Sequence, residues 1–157
     1  MINFSRVEAD IFVGSAPLNS VDVARLQQLK VTAVLSLQSD EDLKTHRIDW
    51  LKLQSAYSYN SVLLQRYPIQ DFDENDLGVK LPIAVLGLHN LLTQGHRVYV
   101  HCNAGVCRAP GTILTYLCHF RGMEVEQGLA YLRKQRPQAN PYLSAVNRAL
   151  IELAELD

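Results

Sequence analysis

The segment from residue 97 to residue 120 constrains the fold of this chain more than any other stretch. Residues 97–100, Arg-Val-Tyr-Val, form a β-branched and aromatic run that is typical of a strand. Residues 109–120 repeat apolar side chains at helical spacing, and only residues 101–108 separate the two patterns. A strand, a tight loop and a helix in this order are typical of an α/β fold, and they gather the N–H groups of the loop at a helix N-terminus.

The rest of the chain continues this alternation. Apolar runs predict further strands at residues 11–13, 31–37 and 62–67. Periodic patterns predict helices at residues 19–30, 47–57, 79–93, 124–136 and after Asn140, a natural N-cap that Pro141 follows. Gly95 predicts a left-handed end to the third of these helices. Because no repeat or linker interrupts the pattern, we predict that residues 1–157 form a single α/β domain.

The charge and hydropathy of the chain argue against several kinds of partner. Lys and Arg total 15 against 16 Asp and Glu, so no overall charge draws the protein to nucleic acid or to an anionic membrane. No stretch reaches the ~18 apolar residues of a membrane span, and the first residues lack the pattern of a signal peptide. We therefore expect a cytoplasmic protein, and a plastid location would require a transit peptide outside this chain. The oligomeric state stays open.

The cysteines suggest a reducing compartment. Cys102, Cys107 and Cys118 are an odd number and lie in one segment, which does not suit a disulfide framework. A structural zinc site usually needs Cys or His ligands in spaced pairs, and the sequence has none. We therefore predict neither a metal ion nor another cofactor.

The loop at residues 101–108 has the composition of a thiol-based phosphate site. At a helix N-terminus the backbone dipoles favour the thiolate form of Cys102, which we predict to be a nucleophile. The planar guanidinium of Arg108 can bind two phosphate oxygens, and Gly105 lets the backbone approach the ligand. The predicted phosphate-binding loop comprises Asn103, Ala104, Gly105, Val106, Cys107 and Arg108.

A buried cysteine by itself is more often an apolar core residue than a nucleophile. Here the pattern His-Cys-x-x-Gly-x-x-Arg coincides with a strand-to-helix junction, and this coincidence favours catalysis. His101 ends the predicted strand on the side away from the ligand. We expect it to hydrogen-bond and position the loop rather than take part in the chemistry.

The phosphate site also needs a proton donor on a separate segment. The acidic loop at residues 70–76 offers Asp71, Asp73 and Asp76, and the residues themselves do not decide among the three. The same acidic run is also typical of solvated surface, or of the N-terminal cap of the helix that follows.

The motifs resemble those of the dual-specificity branch of the protein tyrosine phosphatases. In that family the general acid precedes the cysteine at the spacing that Asp71 has here. The chain is most similar to the plant starch phosphatases, which together with laforin dephosphorylate glucans. The resemblance rests on Asp71-Phe72-Asp73-x-x-Asp76-Leu77, Leu81-Pro82, residues 98–105 and Arg108-Ala109-Pro110, and it extends through Val13-Gly14-Ser15, Leu35-x-Leu37-Gln38-x-Asp40 and Lys134-x-Arg136-Pro137.

This resemblance implies a fold, a mechanism and a substrate. The fold would be a central, mostly parallel twisted sheet flanked by helices. The reaction would hydrolyse phosphate monoesters through a phosphocysteine intermediate with Cys102, Asp71 and Arg108 as catalytic residues. The substrate would be a phosphorylated glucan contacted by Phe72 and Asp76. Further aromatic candidates for a sugar platform are Phe4, Trp50, Tyr57 and Tyr59, each of which ordinary packing also explains.

Three residues depart from the common pattern. Ala109 replaces the usual Ser or Thr after the arginine, but the starch-phosphatase group shares it, so we interpret it as a mark of lineage. His46 stands where that group suggests an aromatic residue. Cys107 either forms a reversible disulfide with Cys102 that protects the nucleophile from over-oxidation, or is a half-buried thiol without a role.

Three functions therefore remain open. The first is a phosphoglucan phosphatase, and the second is a dual-specificity protein phosphatase or another phosphoesterase with the same mechanism. The third is a catalytically weak module that binds phosphate through Arg108.

Overall fold

A computed structural model describes residues 1–156. Five strands form one sheet in the order β1-β2-β5-β3-β4. All neighbouring strands are parallel except β1, which is antiparallel to β2. The strands are β1 (Phe4–Glu8), β2 (Ile11–Gly14), β3 (Ala33–Ser36), β4 (Leu63–Arg66) and β5 (Val98–His101).

Helices cover both faces of this sheet. They are α1 (Ser20–Gln28), α2 (Asp40–Thr45), α3 (Trp50–Tyr59), α4 (Glu74–Thr93), α5 (Arg108–Arg121), α6 (Val125–Gln135) and α7 (Leu143–Leu156). The predicted α/β class with a mostly parallel sheet flanked by helices is therefore confirmed. None of the helices in residues 1–156 is both long and apolar enough to cross a membrane.

The alternation of side chains along β5 divides the core between the two faces. Val98 and Val100 point into a cluster formed with α4, α5 and α7, whereas Tyr99 points into a second cluster formed with α1 and α3. All three side chains are fully buried. Strand β5 is the central strand of the sheet, between β2 and β3. The loop that follows β5 therefore lies at the centre of the carboxyl ends of the parallel strands.

Three helices begin at other residues than the sequence pattern predicts, because their hydrogen-bonded caps lie elsewhere. Helix α3 begins at Trp50 instead of residue 47, since the Asp49 side chain caps it by accepting from Lys52 N at 3.1 Å. Helix α4 begins at Glu74 instead of residue 79, since the Asp73 side chain caps it by accepting from Asp76 N at 2.8 Å. Helix α7 begins at Leu143 instead of at the predicted cap, because the Asn140 side-chain oxygen accepts from Arg133 Nη2 at 3.4 Å rather than from a backbone N–H of the helix.

Two elements were not predicted at all. Strand β1 is a partly exposed edge strand with polar residues, so its alternation is weak. Helix α2 has 6 residues, which is too short for an apolar period. It is held instead by a capping box, in which Ser39 N donates to Asp42 Oδ2 at 2.8 Å and Asp42 N donates to Ser39 Oγ at 3.2 Å.

Candidate active site

Cys102 follows directly after β5 and lies at the base of a cleft, with only 3% of its surface exposed. The preceding residue, His101, is buried on the other side of the sheet next to Tyr99. Its Nδ1 lies 2.9 Å from Cys102 O, and since a carbonyl only accepts, Nδ1 carries the proton. Burial lowers the pKa of His101 to about 4, so its ring is neutral.

The backbone of the loop turns its carbonyl groups away from the cleft. Every carbonyl from Cys102 to Cys107 accepts a hydrogen bond from a donor that does not line the cleft. In loop order these donors are His101 Nδ1, Ala16 N, Arg136 Nη2, Arg136 Nε, Asn140 N and Gly111 N. In a trans peptide the N–H points opposite to the C=O, so the N–H groups of residues 103–108 face the cleft. They form an anion-binding cup at the N-terminus of α5.

Gly105 is required for the shape of this cup. Its φ of +70° lies in the left-handed region. A Cβ added there would lie 2.6 Å from Gly14 O and 2.8 Å from Arg136 Nη2. The loop therefore packs backbone against backbone on β2, which only a glycine permits.

The Arg108 side chain is buried and has one edge open to a ligand. Its Nη1 donates to Asp42 Oδ2 and to Ile69 O, each at 2.7 Å. Within residues 1–156, Nε and Nη2 have no hydrogen-bond partner, although Nη2 lies 3.3 Å from Asp71 Oδ1. Nε and Nη2 form the fork with which a guanidinium binds two oxygens of an oxyanion, and buried donors are seldom left unbonded. The open edge therefore indicates an oxyanion site.

Asp42 was not predicted from the sequence and is the residue that holds Arg108 in place. Its carboxylate accepts from Arg108 Nη1 at 2.7 Å and from Asn103 Nδ2 at 2.9 Å. Burial alone would raise the pKa of Asp42, but these hydrogen bonds, the one from Ser39 and the charge of Arg108 together lower it below its usual value. The pattern Ser39-x-x-Asp42 is a capping-box signal that marks the start of the helix but gives no sign of its contact with the loop.

The three aspartates of the acidic loop lie in different surroundings. Asp71 lies at the cleft, where its Oδ2 accepts from Asn103 Nδ2 at 3.2 Å. Asp73 caps α4. The Asp76 carboxylate accepts from Gln70 N at 2.7 Å and from Lys80 at 3.0 Å, so it closes the loop and does not line the cleft. Only Asp71 of the three lines the cleft beside Cys102.

The cleft has a volume of about 480 Å³ and is wider than a phosphate group needs. Phe72 stands at its rim with 88% of its surface exposed, in a left-handed conformation with φ of +57°. His46 lines the cleft at the position where the resemblance suggested an aromatic residue. The half-buried Cys107 also lines it, and burial raises the pKa of its thiol. Both interpretations of Cys107 stay predictions.

The other aromatic candidates for a sugar platform lie outside this cleft. Phe4 packs against the core, and Tyr57 is buried within it. The Trp50 ring is covered by the guanidinium of Arg66 at 5.0 Å. Tyr59 is exposed but lines a separate groove on α3. Ordinary packing therefore accounts for the first three of these side chains.

Comparison with known proteins agrees with this geometry. Residues 11–154 match the family model described as dual specificity phosphatase, catalytic domain. The chain is 31% identical over 154 residues to "Phosphoglucan phosphatase DSP4, amyloplastic" from Castanea sativa, covering 97% of this chain and 41% of that protein. It is 29% identical over 147 residues to laforin from Mus musculus, covering 87% of this chain and 44% of that protein. The chain thus spans less than half the length of either relative.

The fold also matches solved structures. The crystal structure of PTPMT1 superposes with a TM-score of 0.77 at 19% identity, covering 98% of this chain and 96% of that one. At this identity the likeness concerns the fold alone. The predicted relation to plant glucan phosphatases and laforin within a wider phosphatase family is confirmed by the sequence matches. The chain belongs to the family of dual specificity phosphatase catalytic domains.

Proposed function

We propose that this protein hydrolyses phosphate monoesters through a phosphocysteine intermediate, and that its substrates are phosphorylated glucans. One observation carries the chemistry. A buried thiol, an inward-facing row of loop N–H groups and the open edge of Arg108 converge on one cleft, with the Asp71 carboxylate at its side. These are a nucleophile, donors for the phosphate oxygens and a proton donor, which phosphoryl transfer requires.

The reaction then has two steps. In the first, the loop N–H groups and Arg108 bind the phosphate oxygens, and Cys102 Sγ attacks phosphorus as the bond to the leaving oxygen breaks. Asp71 donates its proton to that oxygen. In the second, Asp71 takes a proton from a water molecule that attacks the phosphocysteine, and inorganic phosphate and the free thiolate are released. Asp42 and Asn103 take no part in bond changes but hold Arg108 and Asp71 in register.

Two features of the cleft support a glucan as the substrate. The exposed Phe72 ring offers an aromatic face of the kind that contacts sugars, and a left-handed φ at a bulky residue is strained and frequently functional. The residues that line the cleft also include three carboxylates, from Glu41, Asp42 and Asp71, and these outnumber the guanidinium of Arg108. These carboxylates repel polyanionic esters and acidic phosphopeptides, whereas an uncharged sugar chain meets no such repulsion.

The names of the relatives support the same substrate. The Castanea sativa relative is called a phosphoglucan phosphatase, and so is a relative from Arabidopsis thaliana that is 34% identical over 116 residues. Because the chain covers under half of each, their substrate is an inference for this protein and is tested separately from the chemistry.

The chemistry is tested with an aryl phosphate, which makes no use of the sugar-binding features. The wild type should release phosphate without added metal, and Cys102→Ser should abolish release while still binding tungstate. Brief acid quenching of the wild type should trap phosphate on Cys102, which peptide mass spectrometry detects. If Cys102→Ser kept the wild-type rate, the proposed mechanism would be wrong. If the wild type bound tungstate without any hydrolysis, the protein would be a binding module.

The glucan assignment is tested at Phe72. Phe72→Ala should lower the rate of phosphate release from solubilised phosphoglucan about twofold to tenfold more than the rate on the aryl phosphate, since aromatic stacking contributes about 0.5–1.5 kcal/mol beyond the buried area. Phe72→Tyr, which keeps the ring, should retain most of the glucan rate. Equal losses on the two substrates would contradict a role for the ring in binding sugar.

A further inference from the structure

Arg136 is a fully buried arginine that lies behind the phosphate-binding loop, on the side away from the cleft. It follows α6, and only 1% of its surface is exposed. Its Nε donates to Gly105 O at 2.7 Å, and its Nη2 donates to Ala104 O at 3.1 Å. The same guanidinium reaches the N-terminal segment, where Asn3 Oδ1 accepts at 3.0 Å and Ser5 Oγ at 3.2 Å.

Within the described residues 1–156, the positive charge of Arg136 has no carboxylate partner. Among residues 1–156 no ion pair involves this side chain, and all its hydrogen-bond acceptors are neutral. A buried cation without a counter-charge is unfavourable and is retained where its geometry or its field serves another group. Burial lowers the pKa of Arg136, while the nearby Tyr99 and Cys102 act in the opposite direction.

We propose that Arg136 is a positioning residue for the phosphate-binding loop. By holding the Ala104 and Gly105 carbonyls behind the loop, it turns the N–H groups of Gly105 and Val106 towards the bound oxyanion. Two adjacent peptide units are fixed by one rigid guanidinium, and the contacts to Asn3 and Ser5 fix that guanidinium in turn. The inference rests on the proposed phosphatase function, but it concerns anion binding and is measured without turnover.

An arginine is needed for this geometry because its planar fork reaches two carbonyls at once. A lysine would keep the charge but place one ammonium where two separate nitrogens now bind. The room is also limited, since a Cβ on Gly105 would lie 2.8 Å from Arg136 Nη2. Lys134, close by on α6, is exposed and makes a matched control for the loss of a positive charge.

The test compares wild type with Arg136→Lys, Arg136→Met and Lys134→Met. Tungstate affinity is measured by calorimetry, KM and kcat are measured with an aryl phosphate, and folding is checked by thermal unfolding. Arg136→Met should weaken tungstate binding and raise KM by roughly tenfold to a hundredfold, the loss expected for one misaligned hydrogen bond to a charged group. Arg136→Lys should fall between Arg136→Met and wild type, and Lys134→Met should match wild type.

A purely structural role would lower the unfolding temperature of Arg136→Met and leave tungstate affinity of the folded protein within twofold of wild type, and this result would overturn the proposal. If Arg136→Met does not fold, the proposal is tested with Arg136→Lys. An unchanged tungstate affinity in Arg136→Lys would equally overturn the proposal. Absence of aryl phosphate hydrolysis in wild type would instead refute the proposed function, while tungstate affinity would still report on Arg136.

Discussion

Asp42→Ala should unfold far more readily than Asp40→Ala, although both substitutions remove an α2 carboxylate that pairs with an arginine. The Asp42 pair with Arg108 has N···O at 2.7 Å and side chains that are 9% and 3% exposed. The Asp40 pair with Arg66 has N···O at 3.1 Å, but its carboxylate is 84% exposed. Burial therefore separates two otherwise similar pairs on one short helix.

The expected magnitudes follow from this difference. Removing one partner of a buried ion pair costs about 3–5 kcal/mol, and losing the capping box of α2 adds about 1 kcal/mol, so the free energy of unfolding should fall by about 4–6 kcal/mol. In a domain of this size that corresponds to a Tm lower by roughly 10–20 °C. Asp40→Ala should cost about 0–1 kcal/mol, as surface pairs do.

Urea unfolding followed by the fluorescence of Trp50, the single tryptophan, measures these values. Asp42→Asn keeps the shape of the side chain and should fall between wild type and alanine. The pKa of Asp42 is lowered in the folded state, so its contribution is full above the unfolded value of about 3.9 and disappears as the pH falls through the folded pKa. A loss in Asp42→Ala within 1 kcal/mol of that in Asp40→Ala would refute this reasoning.

Three further predictions concern the loop and Asp71, the proposed proton donor. Asp71→Ala should lower the rate on an alkyl phosphate, which has a poor leaving group, far more than Asp73→Ala, and equal losses in a phosphate-release assay would mean that another carboxylate is the acid. Burial lowers the folded pKa of His101 to about 4 against about 6.5 unfolded, so the unfolded chain takes up this proton first. Stability should therefore fall by about 3 kcal/mol between pH 7 and pH 4, and His101→Asn should remove this part of the pH dependence in urea titrations. Gly105→Ala should lose tungstate binding and at least about 2 kcal/mol of stability, more than Gly95→Ala, which has the same left-handed strain but open space around it.

The part of the site that is local in sequence was predictable. The β-branched run of β5, the loop glycine and the apolar period of α5 lie within one continuous segment, so their order alone placed Cys102 and Arg108 at a strand-to-helix junction. The edge strand β1 and the short helix α2 were missed because neither carries a clear apolar period. The start of α4 was misplaced because the acidic residues that looked like a loop form its cap and first turn.

The supporting residues were not predictable, because their partners are distant in the chain. Asp42 contacts Arg108 across 66 positions, and Arg136 contacts Gly105 across 31. Only the fold brings a helix-capping carboxylate and a buried arginine to opposite sides of one loop. The contacts of Asp76, in contrast, are local in the chain. The family resemblance suggested a sugar contact, but the Asp76 carboxylate accepts hydrogen bonds from Gln70 N and Lys80 Nζ, close to it in the chain.

The central claim is that this domain removes phosphate from glucans through Cys102, and one comparison of substrates tests it most directly. Phosphate release from solubilised amylopectin and from phosphotyrosine and phosphoserine peptides is measured with one enzyme preparation and divided by the aryl phosphate rate. Cys102→Ser gives the background. We predict a higher normalised rate on amylopectin than on either peptide. Faster release from the peptides would contradict the glucan assignment. It would indicate instead that the same catalytic loop acts on phosphorylated proteins.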